Sequence, residues 1–191
     1  MPIFDHFKYI APFYDKVFKP GDPEWLTELV ELPIDGLLLD AGGGTGRISQ
    51  FFKDKVRGTI LVDLSFEMLQ QASGKDRLQT VCSHTEGLPF PSETFSRIIM
   101  VDAFHHVCDQ EKTAKELWRV LKVDGRLVIE EPDISYFGVK LIAVGEKILG
   151  MRSHFIQPSK IERLFNQEAK VRIMTKPPIS WIIIEKPGVS G

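Results

Sequence analysis

The chain has 191 residues, with 24 basic against 26 acidic side chains and a net charge of −2, enough for one well-buried core but short for two. With neither sign forming a long block, it has no general pull toward phosphate backbones or anionic lipid, so no nucleic-acid partner is expected. Two cysteines, Cys82 and Cys108, are too few for a disulfide framework or a structural zinc site; both are expected as reduced thiols in or near the core, and no metal is expected.

Along the chain, short β-rich runs alternate with helix-like stretches. Leu37 to Asp40 is an apolar run that stops at a carboxylate and a glycine cluster, which reads as a buried strand entering a tight turn. Gly46 to Lys53 has Ile48, Phe51 and Phe52 at helix-compatible spacing. Thr59 to Val62 is a second strand, ended by Asp63, and Ser65 then caps a helix with Met68, Leu69 and Ala72 on one face. Leu78 to Cys82 and Arg97 to Val101 are the third and fourth strands. Glu111 to Leu121 is a helix with Ala114, Leu117, Trp118 and Leu121 on one side, Lys122 to Gly125 a turn, and Arg126 to Glu130 the fifth strand.

After the fifth strand the rhythm changes. Ser135 to Leu149 and Pro158 to Asn166 are predicted helices, and Val171 to Thr175 and Ser180 to Glu185 are strands. The connection Lys176-Pro177-Pro178-Ile179 is too short for a crossover helix, so these last strands pair antiparallel. The expected fold is α/β: a Rossmann-like three-layer sandwich, with a seven-stranded mixed sheet closed by a C-terminal antiparallel hairpin. The expected organisation is one domain over 1–191. It divides into an N-terminal helical cap (1–35), a ligand-binding core (36–132), substrate-side helices (133–170) and the terminal hairpin (171–186).

The most informative stretch is Leu37-Leu38-Leu39-Asp40-Ala41-Gly42-Gly43-Gly44-Thr45-Gly46-Arg47, read as strand, acid and glycine-rich turn. Glycines let a backbone turn tightly and admit a ligand, and in open α/β sheets that happens at the carboxyl ends of the strands. A dinucleotide fingerprint starting at Gly42 needs a third small residue where Arg47 stands, and a phosphate-binding loop needs a lysine after Gly46. Asp40 just ahead of the turn suits a ligand with a cationic amino group better than a pyrophosphate.

From about Tyr9 to Pro132 the chain resembles class I S-adenosylmethionine-dependent methyltransferases, in particular the ubiquinone/menaquinone-biosynthesis-like group of small-molecule methyltransferases. Asp40-Ala41-Gly42-Gly43-Gly44-Thr45-Gly46 is similar to the family's first motif, D-x-G-x-G-x-G. The resemblance implies that Gly42 and Gly44 approach the methionyl part of S-adenosyl-L-methionine and that Asp40 lies near its amino group. Val62-Asp63-Leu64-Ser65 resembles the second motif, which implies Asp63 on the ribose hydroxyls with Leu64 beside it; a carboxylate can accept both hydrogen bonds of a diol. Thr85-Glu86-Gly87-Leu88-Pro89-Phe90-Pro91 and Phe95-Ser96-Arg97 resemble D-A-E-x-L-P-F-x-D-x-x-F-D. His84 stands where the family often has an adenine-binding aspartate and Ser96 replaces an acid, so His84, Thr85 and Glu86 are the implied adenine-side residues. Leu117 to Leu127 resembles E-x-x-R-V-L-K-P-G-G-x-L.

His105 and His106, after the fourth strand, are the candidate catalytic pair: an imidazole can take a proton from a hydroxyl or acidic carbon, and its competing role is hydrogen bonding to backbone or packing. Glu130, Glu131 and Asp133 form an acidic cluster at the end of the fifth strand; Tyr136 and His154 are candidates for an acceptor pocket, as Tyr9 and Tyr14 are for the cofactor. The helix from Ser135 carries Phe137, Leu141, Val144, Ile148 and Leu149, which points to core packing, an apolar acceptor pocket or a peripheral membrane contact. No apolar run approaches the roughly 20 residues of a bilayer span, and the amino terminus lacks a signal-peptide pattern. A cytoplasmic protein without stable membrane insertion is expected. The resemblance implies methyl transfer to O, N or C of a small-molecule acceptor. A non-catalytic cofactor-binding module on the same fold and a nicotinamide-dependent oxidoreductase are the competing readings, and the oligomeric state is open.

Overall fold

The computed structural model describes residues 22–148, 153–165 and 168–188. Tyr9 and Tyr14 lie outside the described residues. Strands β1 (Leu37–Ala41), β2 (Gly58–Asp63), β3 (Leu78–Cys82), β4 (Phe95–Val101), β5 (Leu121–Pro132), β6 (Lys170–Lys176) and β7 (Ile179–Glu185) form one sheet in the order β3-β2-β1-β4-β5-β7-β6. The first five run parallel; β7 pairs antiparallel with both β5 and β6. This is the seven-stranded, Rossmann-like mixed sheet with a terminal hairpin that the alternation implies.

The sheet's two faces are read directly from period-two alternation. Leu39, Ile98, Met100, Leu127, Ile129, Ile182 and Ile184 face one layer, with Ala114, Leu117 and Val120 of α3 (Gln110–Val120) and Ile161 of α5 (Pro158–Glu162). Leu38, Ile99, Val128 and Ile183 face the other, with Leu26, Leu29 and Val30 of α1 (Pro23–Val30) and Phe52. Helix α2 (Phe66–Ala72) closes a smaller cluster of Leu61, Leu69 and Ala72. The helices start where their caps say. Asp22 accepts from Trp25 N at 3.0 Å, with Pro23 in the first turn; Ser65 Oγ accepts from Met68 N at 3.4 Å; Asp109 accepts from Lys112 N at 3.0 Å. At the amino-terminal end of the sheet, α1 is tied down by Arg97 Nε donating to Val30 O (2.7 Å) and Arg126 Nη1 to Leu29 O (3.0 Å).

Three expectations are corrected. The helix expected over Gly46 to Lys53 is a single 3-10 turn, Ser49–Phe52. Gly46 takes a left-handed φ of 72° and Ser49 turns its hydroxyl inward to Asp40, so the run left before β2 is too short to propagate a helix. The turn at Lys122 to Gly125 does not separate two elements: it is an irregularity inside β5, whose partners jump from Phe95↔Leu121 to Arg97↔Arg126. Asp124, at φ 58°, is held there by its N–H on Lys186 O at 2.8 Å. Both cysteines are exposed rather than in or near the core, because Cys82 ends an edge strand and Cys108 sits in the loop before α3. The predicted helix from Ser135 is α4 (Phe137–Ile148), but Val139 is buried while Phe137, Leu141, Ile142 and Val144 are more than half exposed, so core packing does not account for its apolar side.

Candidate functional site

The glycine turn leaves β1 at the carboxyl end of the sheet. Gly42 and Gly43 both donate to Val62 O, at 2.7 and 3.1 Å, which folds the turn back over β2. Gly42 has a φ of 73°, and a Cβ there would stand 2.7 Å from the Ala103 methyl. Gly44 has a φ of 56°, but its missing Cβ would point into open space, with Asp63 Oδ2 the nearest atom at 4.0 Å. One glycine is therefore needed for packing against β4's outgoing loop, and the other leaves a bare backbone facing a crevice.

Asp40 lies under this turn, 2% exposed, and accepts from Ser49 Oγ at 2.5 Å. Burial pushes its carboxyl up to about 6, with Asp63 adding to the rise and Ser49 and Arg47 opposing it. Asp63, at the end of β2, accepts from Gly44 N and Ser65 N, each at 2.8 Å, and so joins the glycine turn to the start of α2. Gly42, Gly44, Asp40 and Asp63 are thus brought together, with Leu64 and Phe66 more than half exposed alongside.

The residues expected on the adenine side divide. Thr85 is buried, its hydroxyl 3.2 Å from that of Thr113 on α3. Glu86 accepts from Cys108 N (2.7 Å) and Asp109 N (3.1 Å), which ties its loop to the start of α3, while the largely exposed His84 comes within 3.6 Å of its other oxygen.

The loop after β4 carries the histidines. Glu131 Oε1 accepts from Ala103 N (3.0 Å) and Phe104 N (2.7 Å), and Glu131 Oε2 meets His105 Nδ1 at 2.6 Å. That contact places the ring proton on Nδ1 and leaves Nε2 as the site of a lone pair in the neutral imidazole. Burial of His105 pulls its pKa down, but the charge and hydrogen bond of Glu131, with Glu146 and Asp102 behind them, raise it overall. Phe155 stacks on His105 with ring centroids 4.1 Å apart, and His106 tilts against it at 4.0 Å. His154 is exposed; it donates its backbone N–H to His105 O at 2.7 Å.

The other strand ends are acidic as well. Asp102 pairs with Arg47 at 3.3 Å, and Glu130 accepts from Trp181 Nε1 at 2.6 Å; burial raises the pKa of both carboxyls. Asp133 accepts from Ser135 N and Ser180 Oγ, so it anchors the start of the α4 segment to β7, and Tyr136 beside it is half-buried. The sequence pattern flags Glu131 only as one of an acidic cluster, and it gives no sign of Ser49, Phe155 or Glu146. The partners of Phe155 and Glu146 lie far away in the chain, and that of Ser49 is nine residues back, across the glycine turn.

Comparison with known proteins agrees with this geometry. A methyltransferase domain family matches residues 39–129. The chain is 34% identical over 136 residues to the uncharacterized methyltransferase YcgJ of Bacillus subtilis (strain 168), covering 64% of this chain and 54% of that protein. It is 35% identical over 104 residues to the ubiquinone/menaquinone biosynthesis C-methyltransferase UbiE of Enterobacter sp. (strain 638), covering 49% of this chain and 41% of that protein. The chain thus spans about half the length of the curated relatives it matches. The crystal structure of YcgJ superposes with a TM-score of 0.71 at 23% identity, over 80% of this chain and 70% of that one. A SAM-dependent methyltransferase from Aquifex aeolicus gives 0.72 at 19%, over 96% and 99%. At these identities the superpositions speak for the fold. The sequence matches, together with the glycine turn and the carboxylate ending β2, agree on one likeness: residues 39–129 are similar to a methyltransferase domain, with UbiE and YcgJ among the relatives that share it.

Proposed function

We propose that the chain transfers a methyl group from S-adenosyl-L-methionine to the O, N or C nucleophile of a small-molecule acceptor. The observation that carries this reading is the open crevice at Gly44, a place where a Cβ would fill the ligand's space, directly facing the Asp63 carboxylate. Asp63 is an acceptor-only carboxylate at the end of β2, the kind of group that the hydroxyls of a ribose diol donate to. Gly42 and Gly44 let the backbone approach the methionyl part, Asp40 draws the amino group, and Leu64, His84, Thr85 and Glu86 border the adenine side. When bound, the cofactor supplies an electrophilic methyl group on a sulfonium. The carboxylates at the strand ends (Asp40, Asp63, Asp102, Glu130 and Glu131) provide negative surroundings for the sulfonium and ammonium groups of such a ligand.

The chain's main task in such a reaction is orientation: the acceptor must be held in line with the methyl group, and a water-poor pocket suppresses hydrolysis. Phe155, stacked on the His105 ring, and His154, whose backbone N–H binds His105 O, support a role for this part of the chain in shielding the acceptor. His105 and His106 are the groups on the acceptor side that can take a proton where the acceptor must lose one. The apolar residues of α4 favour an acceptor with a lipophilic part. No helix among the described residues is long and apolar enough to cross a membrane.

Calorimetric titration with S-adenosylmethionine, alongside Asp63→Ala, tests the assignment. Micromolar-range affinity that weakens about tenfold or more in the variant, whose fold is checked by circular dichroism, supports it. Absence of binding to this cofactor and to its demethylated product refutes it. Turnover to S-adenosylhomocysteine with a cell extract then separates an enzyme from a binding module.

A further inference from the structure

His105, His106 and Glu146 place three donor atoms, one from each side chain, within 4.8 Å of one another. The two histidines come from the short turn after β4 and the carboxylate from α4. Two further observations point to a ligand between them. The carboxylate oxygen Glu146 Oε2 is shut off from solvent and finds no hydrogen-bond partner among the described residues. A buried carboxylate oxygen without a donor is costly, and a cation is what satisfies it. In addition, His105 Nδ1 is already bound to Glu131 at 2.6 Å, so the nitrogen that His105 offers to the cluster is Nε2. A carboxylate holding the far side of an imidazole is the arrangement that orients metal-ligating histidines and raises their basicity. Phe155, stacked on the His105 ring, supplies an apolar wall.

We propose that His105, His106 and Glu146 form a binding site for a divalent transition-metal ion, with Glu131 as the positioning residue behind His105. Two imidazoles and one carboxylate suit Zn²⁺, Fe²⁺ or Co²⁺; Mg²⁺ and Ca²⁺ take oxygen ligands instead. Zinc bonds of about 2.0–2.1 Å hold tetrahedral donors roughly 3.3 Å apart, so ion binding draws the three side chains together by small rotations. Three protein ligands leave an open coordination position. Ala103, which abuts the glycine turn at Gly42, lies two residues before His105, so that position is close to the cofactor crevice. Resting on the methyl-transfer reading, the site would select acceptors with a metal-coordinating oxygen or nitrogen: the ion would lower the acceptor's pKa so that its proton passes to solvent water, and the freed lone pair would bond the methyl group as the sulfur–methyl bond breaks and its electron pair returns to sulfur.

The test is titration of the chelator-treated full chain with Co²⁺, followed by visible absorption, in the wild type, Glu146→Gln, His106→Ala and His154→Ala. Expected is one equivalent bound with ligand-field bands that Zn²⁺ displaces, and affinity reduced roughly tenfold or more in the first two variants but unchanged in His154→Ala. Circular dichroism and the S-adenosylmethionine titration are run on each variant. Cofactor binding retained in Glu146→Gln while Co²⁺ binding is lost supports the metal site independently of the methyl-transfer assignment. The proposal is overturned by the lack of a stoichiometric Co²⁺ complex in correctly folded protein. It is equally overturned by a complex that Glu146→Gln leaves intact, or by one that His154→Ala removes.

Discussion

Replacing Asp40 by asparagine separates the cost of the buried carboxylate from its use. Its rise from 3.8 to about 6 means that the folded chain binds this proton more tightly than the unfolded one. The stability linked to it is therefore fully present below about pH 4 and lost as the pH climbs through about 6; the difference amounts to about 3 kcal/mol. Asparagine preserves the shape and can still accept from Ser49, but its amide N–H₂ finds a site arranged for an acceptor, which costs about 1 kcal/mol. Asp40→Asn should thus gain about 2 kcal/mol at pH 7.5, or roughly 4–8 °C in Tm for a chain of this size. At pH 4 the gain should vanish or turn into a small loss. Urea unfolding at both pH values, with two-state behaviour checked by two probes, measures it. Equal gains at the two pH values, or a loss at pH 7.5, would refute the assignment of a buried, desolvated carboxylate. If Asp40 also draws the cofactor's amino group, the stabilised variant binds S-adenosylmethionine about tenfold more weakly.

The two crevice glycines should respond differently to alanine. Gly42→Ala forces a methyl to 2.7 Å from Ala103 Cβ and should lower stability by about 2 kcal/mol or more in thermal unfolding. Gly44→Ala, with open space for its methyl, should cost only about 1 kcal/mol for its positive φ but should cut cofactor affinity several-fold by calorimetry. His105 has a raised pKa, so the stability of its pair with Glu131 is fully present below the usual imidazole range and declines as the pH rises through the raised value; an NMR titration of the ring should show a midpoint above about 6.5, and a lower midpoint would contradict the pairing. Phe95→Ala, at a fully buried ring that meets Phe90 edge-on at 5.0 Å, should cost about 3–5 kcal/mol in urea unfolding.

The parts of the fold that were legible in the sequence are those set by local rules. An apolar run stopped by an acid marks β1 and β2, and Ser65 announces α2 because a side-chain cap acts within three residues. The Lys176 to Ile179 connection fixes an antiparallel pair by its length alone. Where the outcome depends on distant contacts, the pattern misleads. Gly46 to Lys53 has helical spacing, yet Ser49 is taken by Asp40 from the preceding strand. Cys82 has a core residue's character but falls on an edge strand. The apolar residues of α4 promise a buried face, and among those whose burial is described only Val139 obtains one. In the candidate site, the glycine turn and Asp63 are consecutive in their motifs and therefore readable. The Glu131–His105 contact joins two strand ends, and Glu146 arrives from α4; no spacing rule relates such positions.

The carboxylates that end neighbouring strands have a consequence for turnover under the proposed reaction. Before transfer, the ligand's sulfur carries a full positive charge; afterwards it is a neutral thioether, and the acidic rim has lost one of the two cations it was attracting. The same side chains thus hold the donor more tightly than the spent product, with no conformational change required. That preference is electrostatic and should shrink as added salt screens the rim. In an enzyme built this way the donor displaces the product most readily at low ionic strength, and inhibition by S-adenosylhomocysteine should strengthen relative to donor binding as salt is raised.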